Sequence, residues 1–171
     1  DAERLTQRAL AHRLDSDGDQ ATSTLATRLH AATIELERGN YESAHHAFEQ
    51  ISDSLRRTDP PQPELLAQAL RLLATTRIYF ADDMDGAINA IDEALRIHAS
   101  QQNEHRVEAL VARQIKALAQ SQKGDLAAAE SEQRGILADI TEFLGKDSPY
   151  LFDARNNLGR TLQKLGQMDE A

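Results

Sequence analysis

The chain has 171 residues, 40% apolar and 27% charged, with a formal net charge of −9 at pH 7 and neither cysteine nor tryptophan. That is enough chain and apolar content for a folded core. The negative charge opposes nucleic-acid phosphates and anionic membrane surfaces, and the absence of thiols removes disulfide and thiolate chemistry. Aromatic residues make up 4%, while Ala, Leu, Gln, Glu and Arg are abundant. Unbranched side chains lose little rotamer freedom in a helix, so an all-α fold is expected. No apolar run approaches the roughly 20 residues of a membrane span, and no basic-then-apolar signal opens the chain. A reducing, cytoplasmic setting fits the absence of cysteine.

In chain order, residues 1–17 form the first helix, with Ala2 and Ala9 seven apart on one face. Asp15-Ser16-Asp17-Gly18-Asp19 has the alternating carboxylates that open a calcium loop. In a twelve-residue frame from Asp15, however, the turn glycine falls on Gln20 and the bidentate acid on Ala26. No metal is expected there, and the segment reads as a polar loop with Asp19 capping the next helix. That helix ends at Gly39-Asn40, and the following one carries an apolar stripe of Tyr41, Ala44, Phe48, Ile51 and Leu55. His45 and His46 project about 100° apart on it and cannot chelate one ion together, so both read as surface or groove residues. His12, His30, His98 and His105 show no ligand spacing.

Pro60, Pro61 and Pro63 mark the entry to the next helix, which ends at Asp82-Asp83. Met84, Ala87, Ile91, Ala94 and Leu95 form the stripe of its successor. Asp82, Asp83 and Asp85 could serve acid–base chemistry, but their place in a turn points to capping. The next turn is Gly124-Asp125, followed by the stripe Leu126, Ala129, Ile136, Ile140 and Leu144. Ser148-Pro149 then opens a helix that ends at Gly166-Gln167. Gly39, Gly124 and Gly166 stand where a helix must close in a left-handed residue, with Asp82 in the same place. Asn40, Asp83 and Asp125 are expected to cap the helices that follow, and Gln167 to cap poorly. No phosphate-cradling loop, nucleophile elbow or metalloprotease helix occurs, so no catalytic residue, metal or cofactor is expected.

The four turns are in register. Ala44, Ala87, Ala129 and Ala171 are 43, 42 and 42 residues apart, and Ala2 lies 42 before Ala44. An ordinary helical bundle has no reason to repeat an alanine at this interval. The expected organisation is one solenoid segment of about eight helices in antiparallel hairpins. Residues 1–17 are the second helix of a truncated repeat, 18–58, 59–101 and 102–146 are three repeats, and 147–171 are the first helix of a fourth. Cut at the same phase at both ends, the segment is expected to belong to a longer protein and to self-associate through apolar stripes: Ala2, Leu5 and Ala9 at one end, Leu158 and Leu162 at the other.

In these residues the sequence resembles the tetratricopeptide repeat (TPR) family. Leu158, Gly159, Leu162, Gly166 and Ala171 follow its pattern of large, small and large apolar residues, turn glycine and crossing alanine. The first repeat keeps Ala32, Gly39, Tyr41, Ala44 and Phe48, the second Ile78, Ala87, Ile91, Ala94 and Leu95, the third Ala117, Gly124 and Ala129. The 42-residue period exceeds the family's usual 34 and is similar to the elongated repeats of kinesin light chains and of bacterial regulator and kinase arrays. The resemblance implies an α-α superhelix that binds a peptide or helix in a concave groove and has no enzymatic activity. The alternative it implies is a sensor array that controls an attached transcription regulator or Ser/Thr kinase. Carried over, the groove comprises Leu29, His30 and Thr33, then Leu72, Leu73, Thr76, Tyr79 and Phe80. Gln114, Ile115 and Leu118 follow, and Asn156, Asn157, Arg160 and Lys164 complete it. Asn157 is the position implied to hydrogen-bond a peptide backbone, with Arg160 and Lys164 placed to pair with a carboxylate.

Overall fold

A computed structural model describes residues 2–100 and 106–166. Ala171 and Gln167, His105 and the side chain of Ala2, all invoked above, lie outside this description. The described residues form eight α-helices and no strand. They are α1 (Ala2–Asp17), α2 (Thr22–Glu37), α3 (Tyr41–Arg56), α4 (Pro63–Thr76), α5 (Met84–Ser100), α6 (Arg106–Lys123), α7 (Leu126–Leu144) and α8 (Tyr150–Leu165). A π-helical turn, Arg77–Ala81, directly continues α4. The chain divides into two compact units, residues 1–83 and 84–171.

Within each unit a helix packs on its successor and a first helix reaches the next first helix: α2 on α3, α3 on α4 and α2 on α4, then α6 on α7, α7 on α8 and α6 on α8. The core of the first unit gathers Leu25, Leu29, Ala32, Phe48, Ile51, Leu55, Leu72 and Leu73. That of the second includes Leu110, Ala117, Ile136, Ile140, Leu151 and Ala154. The alanines that set the period, Ala44, Ala87 and Ala129, are all fully buried. Small residues at these points let helix axes approach within the usual packing distance.

The one longer interval has a structural cause. Buried Ala32 precedes Ala44 by twelve residues and buried Ala117 precedes Ala129 by twelve, whereas buried Ala74 precedes Ala87 by thirteen. The extra residue lies between Ala74 and Ala87, the span that holds the π-helical turn, and a π turn takes up one residue more than an α turn. The closing hydrogen bonds record the same insertion. Asn40 N–H donates to the Glu35 carbonyl (3.0 Å) and Asp125 N–H to the Gln120 carbonyl (2.9 Å), each five residues back. Asp83 N–H donates to the Arg77 carbonyl (3.0 Å), six back. Asp82 closes the π turn at φ +52°, the left-handed conformation that Gly39, Gly124 and Gly166 adopt at the other turns.

Capping differs from expectation. Neither Asn40 nor Asp125 makes a side-chain cap; Asn40 instead donates its amide to Glu35 (2.7 Å). Asp83 faces Arg77 (3.7 Å). The residue before α2 is Ala21, not Asp19, whose carboxylate pairs with Arg28 (2.8 Å). Pro149 sits just outside α8.

The supposed calcium segment is helical through Asp17 and ties α1 to α2. Ser23 donates to Asp17 (2.6 Å) and Ser16 adds a second bond (2.7 Å). These bonds, Ser23 first, hold the Asp17 carboxyl below its ordinary value. A depressed folded value means that the stabilisation is present above the ordinary Asp range and fades as pH falls through the lowered one. Acidification through that window is expected to lower amide protection at the α1–α2 junction, measured relative to intrinsic exchange, and Ser23→Ala is expected to reduce that effect because Ser23 is the largest of its causes.

Candidate functional site

In the first unit, the π turn sets the surface. Its five residues Arg-Ile-Tyr-Phe-Ala bury Ile78 but leave Tyr79 58% and Phe80 44% exposed. Beneath them lies His45 on α3, buried and not at the surface or in a groove as its sequence neighbourhood implied. Its Nδ1 is 3.1 Å from the Thr76 hydroxyl, which itself donates to the Leu73 carbonyl (2.9 Å). With that hydroxyl hydrogen committed, Nδ1 is the donor to Thr76. The His45 ring stands 5.7 Å from Phe80 at a tilt of 49°, within the range of favourable aromatic contact. Glu49, one turn along α3, lies 3.5 Å from His45 Nε2, 3.7 Å from His46 and 3.8 Å from Arg77. The last turn of α4 and the π turn are thus anchored to α3 by a hydroxyl–imidazole bond and the Arg77–Glu49 ion pair. On that anchored turn the aromatic pair is displayed.

The other groove residues expected in this unit divide by burial. Leu29, Leu72 and Leu73 are buried in the core cluster of this unit and Thr76 is buried against His45, so all four pack within the unit and are not presented at its surface. His30 is exposed, and it lines a shallow recess with Leu5, Thr6, Ala9, Ala26 and Thr27 of α1 and α2. Thr33 is half-buried and bonds back to the Leu29 carbonyl (2.9 Å). Leu5 is 59% exposed, in keeping with the apolar stripe expected on α1.

In the second unit, Gln114, Ile115 and Leu118 on α6 and Asn157 on α8 are half-buried. Gln114 and Asn157 line one narrow slot with Gln133, Ile136 and Ala154. Asn156 and Arg160 lie elsewhere on α8, in a cleft of about 670 Å³ shared with Lys146, Phe152 and Arg155. Lys164 is not part of that cleft. Its ammonium donates to the Ser121 carbonyl on α6 (3.0 Å), next to Thr161, which donates to the Ser121 hydroxyl (3.0 Å). The Arg160–Lys164 pair expected to grip one carboxylate is therefore split between two surroundings. Leu158 and Leu162, expected to be exposed, are buried, because α8 turns its Leu151, Ala154, Leu158 and Leu162 face inward. Phe152 is the exposed apolar residue of this helix, at 76%.

Charge in this unit is organised around structure. Arg113 on α6 donates to both Glu132 and Asp139, which stand seven residues apart on one face of α7. Gly135 lies between them, where a Cβ would approach the guanidinium to 3.4 Å. Burial, the largest influence on Arg113, acts to lower its proton affinity, yet the bonds to Glu132 and Asp139 raise it overall. Lys123 is raised chiefly by its bond to Asp85 (2.7 Å). Among the described residues, no group of three or more His, Asp or Glu side chains could hold a metal ion. No helix among them is long and apolar enough to cross a membrane.

Neither a protein-family model nor a curated protein matches the sequence. Solved structures do match in fold. Two are of nearly identical TPR-like repeats from Podosopora anserina, in a protein assigned as a kinesin light chain. One, a point variant of that protein, has TM-score 0.79 at 18% identity, over 99% of this chain and 79% of that one. The other has TM-score 0.77 at 18% identity, over 99% and 80%. A third is BtubC (BKLC) from P. vanneervenii, at TM-score 0.76 and 19% identity, over 99% of this chain and 67% of the other. The chain has a TPR-like repeat fold.

Proposed function

We propose that this TPR-like chain is a non-catalytic protein-interaction scaffold that binds a peptide or helix through the exposed faces of its first helices. The observation that supports it is the display of Tyr79 and Phe80. Two neighbouring aromatic rings, both exposed, stand on a turn tied to α3 through side chains, Thr76 with His45 at the end of α4 and Arg77 with Glu49. Exposed aromatics on a rigid platform are the side chains that most often dominate binding energy, because they bury a large area at little cost in side-chain entropy. In the second unit the half-buried amides of Gln114 on α6 and Asn157 on α8 are hydrogen-bonding groups suited to a peptide chain. The TPR-like repeats of the similar structures support the same class of function.

Affinity capture from an extract of the cells that make the protein, with mass-spectrometric identification, tests the proposal. A Tyr79→Ala/Phe80→Ala variant should keep the wild-type helical content and lose the captured partner, with affinity falling about 30-fold or more. Full retention of the same partner by the folded variant would overturn the assignment of this surface.

A further inference from the structure

We propose that the slot between α6, α7 and α8 is an amide-recognition subsite, which receives one amide group of a bound partner. Gln133 on α7 is 3% exposed, and both its side-chain nitrogen and oxygen are buried without a hydrogen-bond partner. The amide nitrogen of Gln114 on α6 is in the same state. Both residues face the slot, whose remaining walls are Asn157 and the apolar Ile136 and Ala154. Its empty space is about 170 Å³, yet it is too narrow to admit a water molecule. Solvent therefore cannot satisfy the two glutamines as they stand, although buried polar groups are almost always paired.

The donor and acceptor inventory specifies the ligand chemistry. Gln133 offers an unused NH₂ and an unused carbonyl, and Gln114 an unused NH₂. A group that returns one acceptor and one donor in a plane complements this set, which is what an amide does. A carboxylate would leave the Gln133 carbonyl unpaired, and a cation would leave both NH₂ groups unpaired. Gln114 and Asn157 are half-buried and Gln133 is buried. An amide is larger than a water molecule, so its entry requires the glutamine side chains to turn about their three torsions and widen the slot. The apolar Ile136 and Ala154 exclude water around the pairing and so strengthen it.

This inference rests on the scaffold proposal, and its test separates the two. Two probes are titrated into ¹⁵N-labelled protein: N-methylacetamide, which carries a main-chain amide, and acetamide, which carries the amide of an Asn or Gln side chain. The side-chain NH₂ signals of Gln114 and Gln133 should shift saturably. A stronger response to N-methylacetamide assigns the subsite to a partner's backbone, and a stronger response to acetamide to a side chain. The second arm is Gln133→Leu. Its thermal midpoint should rise, because unpaired polar atoms are removed from the interior, while affinity for the captured partner should fall roughly tenfold. If neither probe shifts these signals, or if Gln133→Leu binds the partner as tightly as wild type, the subsite is wrong and the scaffold proposal stands. Were the Tyr79/Phe80 variant alone to retain the partner, that aromatic surface would fail and the amide subsite would stand.

Discussion

Replacing Phe48 with alanine is expected to destabilise the first unit by about 3–5 kcal/mol. The ring is fully buried at the centre of the cluster formed by α2, α3 and α4, in the layer that holds Leu25, Leu29 and Leu73. Removing it forfeits the transfer energy of a benzyl group and leaves a cavity that helices tied by short turns cannot close. Because repeat folds are stabilised mainly by neighbouring elements, the loss should be local. Hydrogen exchange should show reduced protection centred on α2, α3 and α4, with α6 to α8 little changed. The exposed counterpart, Phe152→Ala, should change stability by no more than about 0.5 kcal/mol. Equal losses at both positions would show that α3 does not pack in this way.

Arg113→Leu should cost about 2–3 kcal/mol. One guanidinium joins α6 to two carboxylates of α7, with the three side chains between 28% and 33% exposed. Charge-assisted bonds of this kind are stronger than neutral ones, but partial exposure lets water take up part of the loss, which keeps the figure below that of a fully buried triad. Gly135 stands between Glu132 and Asp139, and a Cβ there would meet the guanidinium at 3.4 Å, ordinary van der Waals contact. A double-mutant cycle with Glu132→Gln and Asp139→Asn by urea unfolding checks the assignment, since coupling should appear with both acids. Additive effects would show that the bonds contribute nothing in solution.

How much of this was legible in the sequence depended on whether a feature is local and periodic. The buried alanines were, because a small residue at a fixed interval beside a left-handed turn is a backbone requirement written in one residue type. The place of Asp82 in the series of turn glycines was legible for the same reason, and its φ of +52° bears it out. The 43-residue interval was visible as well, but not its meaning. One extra residue can be absorbed in a loop or a helix, and nothing in Arg-Ile-Tyr-Phe-Ala specifies a π turn.

Long-range partnerships were hidden. His45 looked like a surface residue until Thr76, 31 residues away, gave its ring a buried partner. Lys164 looked like a groove cation until Ser121, 43 residues away, took its ammonium. Leu72 and Leu73 were assigned to the groove because an apolar first-helix residue can serve either packing or binding, and only the neighbours decide which. The buried polarity of Gln133 gave no sequence signal, since glutamine is common on exposed helix faces.

If the inserted residue builds the binding surface, it does so by forcing a π turn that holds Tyr79 and Phe80 outward. Deleting Ala81 isolates that cause, because it restores the 42-residue interval while keeping both aromatic side chains. The expected variant is as helical as wild type, with α4 continuing through Phe80 as regular α-helix and with affinity for the captured partner reduced about tenfold or more. A variant with the π turn removed and partner affinity unchanged would contradict this origin of the surface.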